Sequence, residues 1–248
     1  MPLEPRALTP ELTLPPLFTL VRLRELGDAF AHAQSIAAEQ GAGTLVYVGR
    51  FDLVEFAMVL EPDEPLREAR RSLYAGMTAL ADALAVHAQP ETAITIDWPD
   101  SLSVNAGLVG GGRLAWPQPV KEDETPPWLV FGAMIRTVSV SGIEPGLNPL
   151  VTALEEEGFT DAMSDKVLES FARHFMVAVD GWQEKGFGAV AHSYMERLPR
   201  ESGLRRDIDD NGDLLVGRIG KAEVERKQLL PRLAAPAWYD PARRGPRA

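Results

Sequence analysis

Apolar residues recur at the spacing of an amphipathic helix in several parts of this chain. The pattern predicts helices over residues 28–39, 65–88, 148–157, 161–181 and 187–198. In the longest of these, one face carries Leu66, Ala69, Leu73, Met77, Leu80, Leu84 and Ala88. A helix of this length with one apolar face is expected to pack across a sheet as the principal helix of the fold.

Between the helices, short runs rich in Val, Ile, Leu, Phe and Tyr predict β-strands. They lie over residues 44–49, 54–60, 93–96, 102–105, 112–116 and 128–135. The last run follows Pro126 and Pro127 and is apolar throughout, which is typical of a central strand. A group of strands followed by helices predicts an α+β fold, in which a mixed, mostly antiparallel sheet is packed by helices.

The two ends of the chain differ from its middle. Five prolines among residues 1–18 disfavour a helix and predict an extended arm on the surface that contributes an edge. We therefore divide the chain into an arm over 1–27, a main domain over 28–198 and a small carboxy-terminal β-module with a tail over 199–248. The prediction of this module is based on a turn sequence that leads into a strand over 207–217. Four prolines and a basic end predict that residues 231–248 form a loose tail.

Composition narrows the classes of function. The 248 residues suit one main core, and 45% hydrophobic with 25% charged residues is ordinary for a globular protein. A net charge of -11 argues against nucleic acid as a partner, because binding to phosphates needs clustered Lys and Arg. The lack of cysteine excludes disulfide bonds, thiolate metal sites and cysteine nucleophiles. The amino terminus lacks the pattern of a signal peptide, and no apolar run is long enough to span a bilayer, so we expect a cytoplasmic protein without a membrane partner.

The most informative stretch is AITIDWPDSLSVN over residues 93–105, followed by GLVGGGR over residues 107–113. It resembles the core signature of biotin and lipoate protein ligases, in which Lys-Trp-Pro-Asn-Asp-Leu precedes an asparagine, a lysine and a glycine-containing strand. The retained residues are Trp98, Pro99, Leu102, Asn105 and Gly111. The departures are Asp97, Asp100, Ser101 and Leu108, the last in place of the family's ligand-contacting lysine. The order of predicted elements between residues 29 and 198 is also similar to that of the family.

The resemblance implies a class II synthetase-like α+β fold with a small carboxy-terminal β extension. Members of the family join a carboxylate to adenosine phosphate and pass the acyl group to a lysine of an acceptor protein, or transfer an acyl chain between carriers. If the reaction is retained, the resemblance implies ATP, a biotin-like or lipoate-like acyl ligand, and a biotinyl- or lipoyl-type acceptor protein. It is also compatible with a homodimer. No catalytic residue is assigned.

The candidate ligand-binding residues follow from the same resemblance. They are Arg50, Trp98, Asp100, Asn105, Gly110, Gly111, Gly112 and Arg113. Arg50 is the arginine kept in the shortened loop 49–52, where the family has a Gly-Arg-Gly-Arg loop over the adenylate. Arg113 is expected to supply the cation that Leu108 lacks, with the three glycines providing backbone freedom and donors. A structural alternative is that Trp98 is a buried aromatic residue at a strand end and that the glycines form a flexible hairpin.

Other interpretations follow from the departures. Asp97 and Asp100 could instead hold an amine or a metal ion, although the sequence gives no metal-binding motif. Leu108 favours a noncatalytic descendant that binds a protein partner through its sheet. Residues 207–218 match the start of a calcium-binding loop, but Arg218 stands where a glutamate is required, so we predict an Asn-Gly hairpin turn there. The acidic charge and the lack of a helix-turn-helix pattern oppose a role in transcription.

Overall fold

A seven-stranded sheet forms the centre of the computed structural model, which describes residues 12–139, 150–159 and 163–247. The strands in spatial order are β1 (Thr19–Leu23), β2 (Thr44–Gly49), β3 (Leu53–Leu60), β7 (Leu129–Arg136), β6 (Gly107–Ala115), β5 (Ser101–Val104) and β4 (Ile94–Asp97). The β1–β2 pair is parallel and the other pairs are antiparallel. The mixed, mostly antiparallel sheet of an α+β fold is therefore confirmed, with the strand predicted over 128–135 at its centre.

Helices cover both faces of this sheet. Helix α1 (Ala29–Gln40) packs on one face, whereas α3 (Ser72–Ala85) and α4 (Met163–Lys185) pack on the other, with α5 (Phe187–Glu196) beside them. Because successive side chains of a strand point to opposite faces of the sheet, β3 contributes residues to two hydrophobic cores. Phe56 and Met58 enter the large core beneath α3 and α4, and Ala57 and Val59 enter the small core beneath α1.

The prediction of one continuous helix over 65–88 is wrong. The segment forms α2 (Leu66–Ala69) and α3, separated by Arg70 and Arg71. Both arginine side chains are buried, and their guanidinium groups donate hydrogen bonds to the carbonyl oxygens of Asn211 and Asp210. The helix is thus interrupted where two long side chains reach a turn that lies about 140 residues away in sequence.

The helix predicted over 148–157 is also wrong in the part that the structure describes, which begins at Leu150. The N–H of Leu108 donates to Leu150 O at 2.9 Å, and the N–H of Thr152 donates to Leu108 O at 3.1 Å. The backbone around Val151 therefore pairs with β6 in a parallel bridge and is unavailable for helical hydrogen bonds. Residues 148 and 149 lie outside the described residues.

The amino-terminal arm is described only from residue 12. Residues 1–11 of the predicted arm lie outside the described residues. The segment over 12–18 contains neither helix nor strand, and it leads into β1 at one edge of the sheet.

The carboxy-terminal region begins with a second, three-stranded antiparallel sheet. It contains β8 (Leu204–Ile208), β9 (Leu214–Arg218) and β10 (Val224–Lys227), with β9 in the middle. The turn between β8 and β9 confirms the predicted Asn-Gly hairpin: Gly212 has φ +81, and Asp209 Oδ1 accepts hydrogen bonds from the N–H groups of Asn211 and Asp213.

The prediction of a loose tail over 231–248 is wrong for the described residues of that segment. After α6 (Leu229–Leu233), the short strands β11 (Tyr239–Asp240) and β12 (Gly245–Pro246) form a hairpin. Trp238, Gly245 and Pro246 are buried, so an aromatic anchor orders a segment whose prolines suggested none. Throughout the described segments, no helix is both long and apolar enough to cross a membrane.

Candidate functional site

Arg113 on β6 lies at the centre of a cluster of charged and aromatic side chains on the sheet face that carries α1. Its guanidinium carbon is 4.0 Å from the centroid of the Phe30 ring and 4.5 Å from that of Tyr239. Arg113 Nη2 is 3.7 Å from Asp28 Oδ1, and this nitrogen is buried without a hydrogen-bond partner among the residues that the structure describes. A buried guanidinium with an unused donor is costly unless a ligand satisfies it.

Arg50 enters the same region from the short turn between β2 and β3. Its guanidinium forms a two-point ion pair with Asp52, with Nη2 at 2.6 Å from Oδ2, and Nη1 lies 3.8 Å from Glu55 Oε2. The pair lowers the pKa of the Asp52 carboxyl group through the hydrogen bonds from Arg50. Arg50 is therefore partly neutralised by its own neighbours and is only partly exposed.

Glu55 lies close to Arg50 and also interacts electrostatically with Arg113. It is the one charged residue in the apolar strand β3, and its side chain is buried on the α1 face. Burial raises the pKa of Glu55, and the neighbouring charge of Asp28 adds to this, whereas the N–H of Ala29, Arg50 and Arg113 lower it. The N–H of Ala29 donates to Glu55 Oε1 at 3.0 Å, so the carboxylate also caps the first turn of α1.

We call the group formed by Asp28, Phe30, Arg50, Glu55 and Arg113 the α1 cluster. Asp28 caps α1 by accepting from the N–H of Ala31 at 2.9 Å, which places it beside Glu55 and Arg113. The structure thus brings together two of the candidate residues, Arg50 and Arg113. Asp28, Phe30 and Glu55 were not predicted as site residues, although a lone carboxylate within an apolar strand is a signal that could have identified Glu55.

The three glycines of β6 have packing roles. A Cβ at Gly110 would lie 1.9 Å from Met134 O, one at Gly111 would lie 2.1 Å from Asp100 O, and one at Gly112 would lie 2.6 Å from Met77 Sδ. The N–H of Gly112 already donates to Asp100 O at 2.9 Å. The Gly112 amide is therefore not a free donor, and the glycines allow neighbouring groups to approach β6 closely.

Trp98 lies apart from the α1 cluster, against the helices of the other face. Its Nε1 donates to Tyr74 Oη at 3.0 Å, and Tyr74 Oη donates in turn to Gly212 O. Trp98 and Asp97 also line a cavity of about 750 Å³, together with side chains of β8, β9 and β10. Trp98 is half-buried and follows directly after β4, as in the structural alternative of an aromatic residue at a strand end.

Asp100 is buried and is not part of the α1 cluster. Ser101 Oγ donates to Asp100 Oδ1 at 3.3 Å. Burial raises the pKa of the Asp100 carboxyl group to about 7, and the hydrogen bonds of Ser101 and the Asp100 backbone and the charge of Arg232 oppose this shift only in part.

Asn105 is held in the turn between β5 and β6. Its side-chain oxygen accepts from the N–H of Ala93 at 3.0 Å, and its Nδ2 donates to Glu157 Oε2 at 2.6 Å. With φ +48, Asn105 occupies a left-handed conformation that suits asparagine in a turn. Its contacts fix the turn and the segment that contains Glu157.

Leu108 and the acidic residues bear on the remaining alternatives. Leu108 is held beside Val151 and supplies no ammonium group at the position that the family resemblance assigns to a lysine. Asp97 Oδ2 accepts from Ser103 Oγ at 2.9 Å, whereas Asp100 interacts with Ser101. Over residues 12–139, 150–159 and 163–247, no three His, Asp or Glu side chains are arranged to bind a metal ion.

Comparisons with known proteins agree on the family. A sequence profile of the biotin/lipoate A/B protein ligase family matches residues 14–196. The biotin--[acetyl-CoA-carboxylase] ligase of Paracoccus denitrificans is 24% identical over 200 residues, which cover 70% of this chain and 78% of the relative.

Solved structures share the fold. A biotin protein ligase-like protein of unknown function from Silicibacter sp. TM1040 has 28% identity and a TM-score of 0.76, covering 90% of this chain and 99% of that chain. The biotin protein ligase of Aquifex aeolicus, solved with biotin and ATP, has 14% identity and a TM-score of 0.59 over 85% of this chain and 99% of that chain. The profile match spans most of the sequence, and the chain belongs to the biotin/lipoate A/B protein ligase family.

Proposed function

We propose that this protein binds an acyl or nucleotide-linked small molecule at the α1 cluster, through a carboxylate or phosphate group of the ligand. The observation that carries the proposal is Arg113, whose buried Nη2 lacks a hydrogen-bond partner among the described residues. An anionic oxygen at this nitrogen would form a charge-assisted hydrogen bond, and such bonds are stronger than neutral ones. The guanidinium group lies over the face of the Phe30 ring, which limits the directions in which it can point.

The charged residues around Arg113 determine how strongly this site can bind an anion. Arg50 and Arg113 are balanced by Asp28, Asp52 and Glu55, so the cluster has no excess of positive charge. A ligand anion would have to replace Asp28 as the partner of Arg113, and the 3.7 Å separation shows that this partnership is loose. We expect moderate affinity for an anion, with selectivity supplied by the apolar part of the ligand.

The reaction that we propose is transfer of an acyl group to a lysine of a carrier protein. The support is family membership, together with the Paracoccus relative, whose name identifies biotin as its ligand and acetyl-CoA-carboxylase as its acceptor. In this chain, Arg113 would orient the acid and Arg50 would face the phosphate that becomes attached to it. The shortened loop 49–52 supplies one arginine, so we expect a weak hold on the nucleotide.

Thermal-shift measurements with biotin, lipoate and octanoate, each with and without ATP, test ligand binding. A ligand at a concentration 100 times its Kd stabilises the folded state by about 2.7 kcal/mol, so the melting temperature should rise for at least one of these probes. Arg113→Met should weaken binding of that probe by roughly 10-fold to 100-fold, which corresponds to the loss of a charged hydrogen bond. Arg205→Met, at an exposed position of β8, is the matched control and should bind as the natural chain does. An unchanged shift in Arg113→Met would exclude the α1 cluster as the ligand site.

A second candidate function is a noncatalytic module that binds a protein partner through its sheet. Leu108 favours it, because the family's ligand-contacting lysine is replaced by a side chain held beside Val151. Hydroxylamine added with ATP and each acid separates the two functions, since it converts an acyl-adenylate to a hydroxamate. Hydroxamate formation would reject the noncatalytic function, and its absence in a chain that binds the acid would support it.

A further inference from the structure

The tail hairpin, which we define as residues 238–247, covers the part of β6 that lies beside the α1 cluster. Trp238 is fully buried, and its Nε1 donates to Gly112 O at 2.9 Å. A Cβ at Gly111 would lie 2.5 Å from Trp238 Cδ1, so the indole occupies the space that the missing side chain leaves. The glycine surface of β6 is thus filled by the protein's own tail.

Two further residues of the tail hairpin contact the α1 cluster. The Tyr239 ring lies over the guanidinium group of Arg113, on which Phe30 also packs. Arg244 Nη2 is 3.9 Å from Asp28 Oδ2, so this arginine shares the Asp28 carboxylate with Arg113. An external ligand that binds Arg113 from this side would meet Tyr239 first.

Few interactions hold the tail hairpin in place. Its two strands pair over two residues each, and the N–H of Arg247 donates to Trp238 O at 2.8 Å. Arg136 Nη2 donates to the carbonyl oxygens of Pro246 and Arg247 at 3.1 and 2.8 Å, which ties the hairpin to the end of β7. This small hairpin is held by the Trp238 anchor, by Arg136 and by the contacts of Tyr239 and Arg244. It is therefore expected to open at a lower free energy than the seven-stranded sheet.

We propose that the tail hairpin is an autoinhibitory plug, which undocks from β6 and the α1 cluster while the rest of the chain stays folded. This inference rests on the proposed function, because the surface it uncovers is the proposed ligand site. The apparent affinity for a ligand then equals the intrinsic affinity multiplied by the fraction of molecules in which the hairpin is open. Anything that removes the hairpin from β6, a carrier protein included, would raise the affinity for the small molecule.

The absence of cysteine makes undocking directly measurable. Gly245→Cys places a thiol under the docked hairpin, where a Cβ meets only ordinary contacts, the nearest being Leu53 Cδ1 and Arg243 O at 3.9 Å. Ala57→Cys places the control thiol in the centre of the sheet, where the residue is fully buried. With a disulfide reagent, we expect the thiol from Gly245→Cys to react at least 100-fold faster than the thiol from Ala57→Cys. Equal rates would show that the hairpin opens only by global unfolding and would overturn the plug.

A second variant checks that the faster reaction comes from undocking. Arg136→Met removes the tie to the hairpin and should accelerate the reaction in the Gly245→Cys chain about tenfold. Arg205→Met, at an exposed arginine of β8, is the control and should leave the reaction rate of the thiol in the Gly245→Cys chain unchanged. The same Arg136→Met substitution in the Ala57→Cys chain reports any general loss of stability. Acceleration of both thiols by the same factor would count against a separate opening of the hairpin.

The ligand measurement distinguishes the plug from the proposed function. A probe that gives a thermal shift should bind about tenfold more tightly to Arg136→Met and should speed the reaction of the thiol from Gly245→Cys. Protection of this thiol by the probe would mean that the hairpin closes over the ligand, which overturns the plug but keeps the ligand site. If no probe binds either chain, the proposed function fails, while the thiol rates still decide whether the hairpin undocks.

Discussion

At the scale of single residues, the buried carboxyl group of Asp100 is the clearest departure from ordinary packing. The family resemblance suggested a ligand contact, yet the carboxyl group lies in the interior, with Ser101 as a hydrogen-bond donor. Its pKa is raised from 3.8 to about 7 chiefly by burial. The folded state therefore favours the protonated form, and the stabilisation is complete below about pH 4 and is lost as the pH rises through about 7.

We predict that Asp100→Asn removes this pH dependence. The free energy of unfolding of the natural chain should fall between pH 4 and pH 8 by on the order of 4 kcal/mol, because each pKa unit corresponds to about 1.36 kcal/mol. The amide carries no charge, so the variant should lose most of this slope, with a remainder from the raised pKa of Glu55, and should be more stable than the natural chain at pH 8. Urea unfolding at several pH values measures the difference. Asp63→Asn, at an exposed position, is the control and should keep the slope of the natural chain.

A second prediction at the residue scale concerns Gly110. This residue has φ +155, and a Cβ there would lie 1.9 Å from Met134 O on the neighbouring strand. Gly110→Ala should therefore reduce the free energy of unfolding by about 3 kcal/mol, since the clash is with backbone. Gly217→Ala in β9 is the matched control, because its Cβ would have no contact closer than 3.7 Å. Equal stability of the two variants would contradict the packing role of Gly110.

At the scale of elements, the local sequence pattern identified most strands and the helices α1, α4 and α5. The capping carboxylate of Asp28 and the apolar spacing after it are local properties, and α1 begins within one residue of its predicted start. The interruption between α2 and α3 was not predictable, because it coincides with hydrogen bonds from Arg70 and Arg71 to a remote turn. The bridge between Leu108 and Val151 likewise decides the structure around 150–152 through a distant contact.

The residues of the candidate site could likewise be predicted only in part from the sequence. Arg50 and Arg113 could be identified from the motif and the loop, and the structure brings both to the face under α1. Tyr239 could not be identified as a neighbour of Arg113, because nothing in the proline-rich tail indicates which strand this tail contacts. Trp98 and Asn105 are retained family residues whose observed contacts are with Tyr74 and with Ala93 and Glu157.

The start of α1 gives a prediction at this scale. Asp28 both caps the helix and lies near Arg113, so two substitutions separate these roles. Asp28→Ala should lower the free energy of unfolding by about 1 kcal/mol through loss of the cap, whereas Asp28→Asn should keep the cap and lose less. Chemical denaturation measures both. A loss as large in Asp28→Asn as in Asp28→Ala would assign the effect to charge instead of capping.

At the scale of the whole molecule, the small sheet of β8, β9 and β10 is tied to the helix layer of the main sheet. Arg70, Arg71 and Tyr74 donate hydrogen bonds to three successive carbonyl groups of the β8–β9 turn, those of Asn211, Asp210 and Gly212. All three side chains are buried. We infer that the two sheets unfold together.

This coupling predicts a single unfolding transition in which far-UV circular dichroism and tryptophan fluorescence coincide. Replacing both arginines, in Arg70→Met with Arg71→Met, should lower the midpoint and separate the two signals, because the turn loses the hydrogen bonds from both guanidinium groups. Arg67→Met, at a half-exposed arginine of α2, is the control and should keep one transition. Two transitions in the natural chain would refute the coupling.

Helix α3 packs against the sheet and against α4 and α5, and twelve of its fourteen residues are buried. Local opening at the protein surface does not expose the backbone amides of α3 to solvent, so their hydrogen exchange should require opening of the whole fold. The exchange rates of α3 would then serve as an internal gauge of global stability. The amides of any segment that opens separately, at the edges or at the carboxy-terminal end, could be ranked against that gauge in one experiment on the unmodified chain.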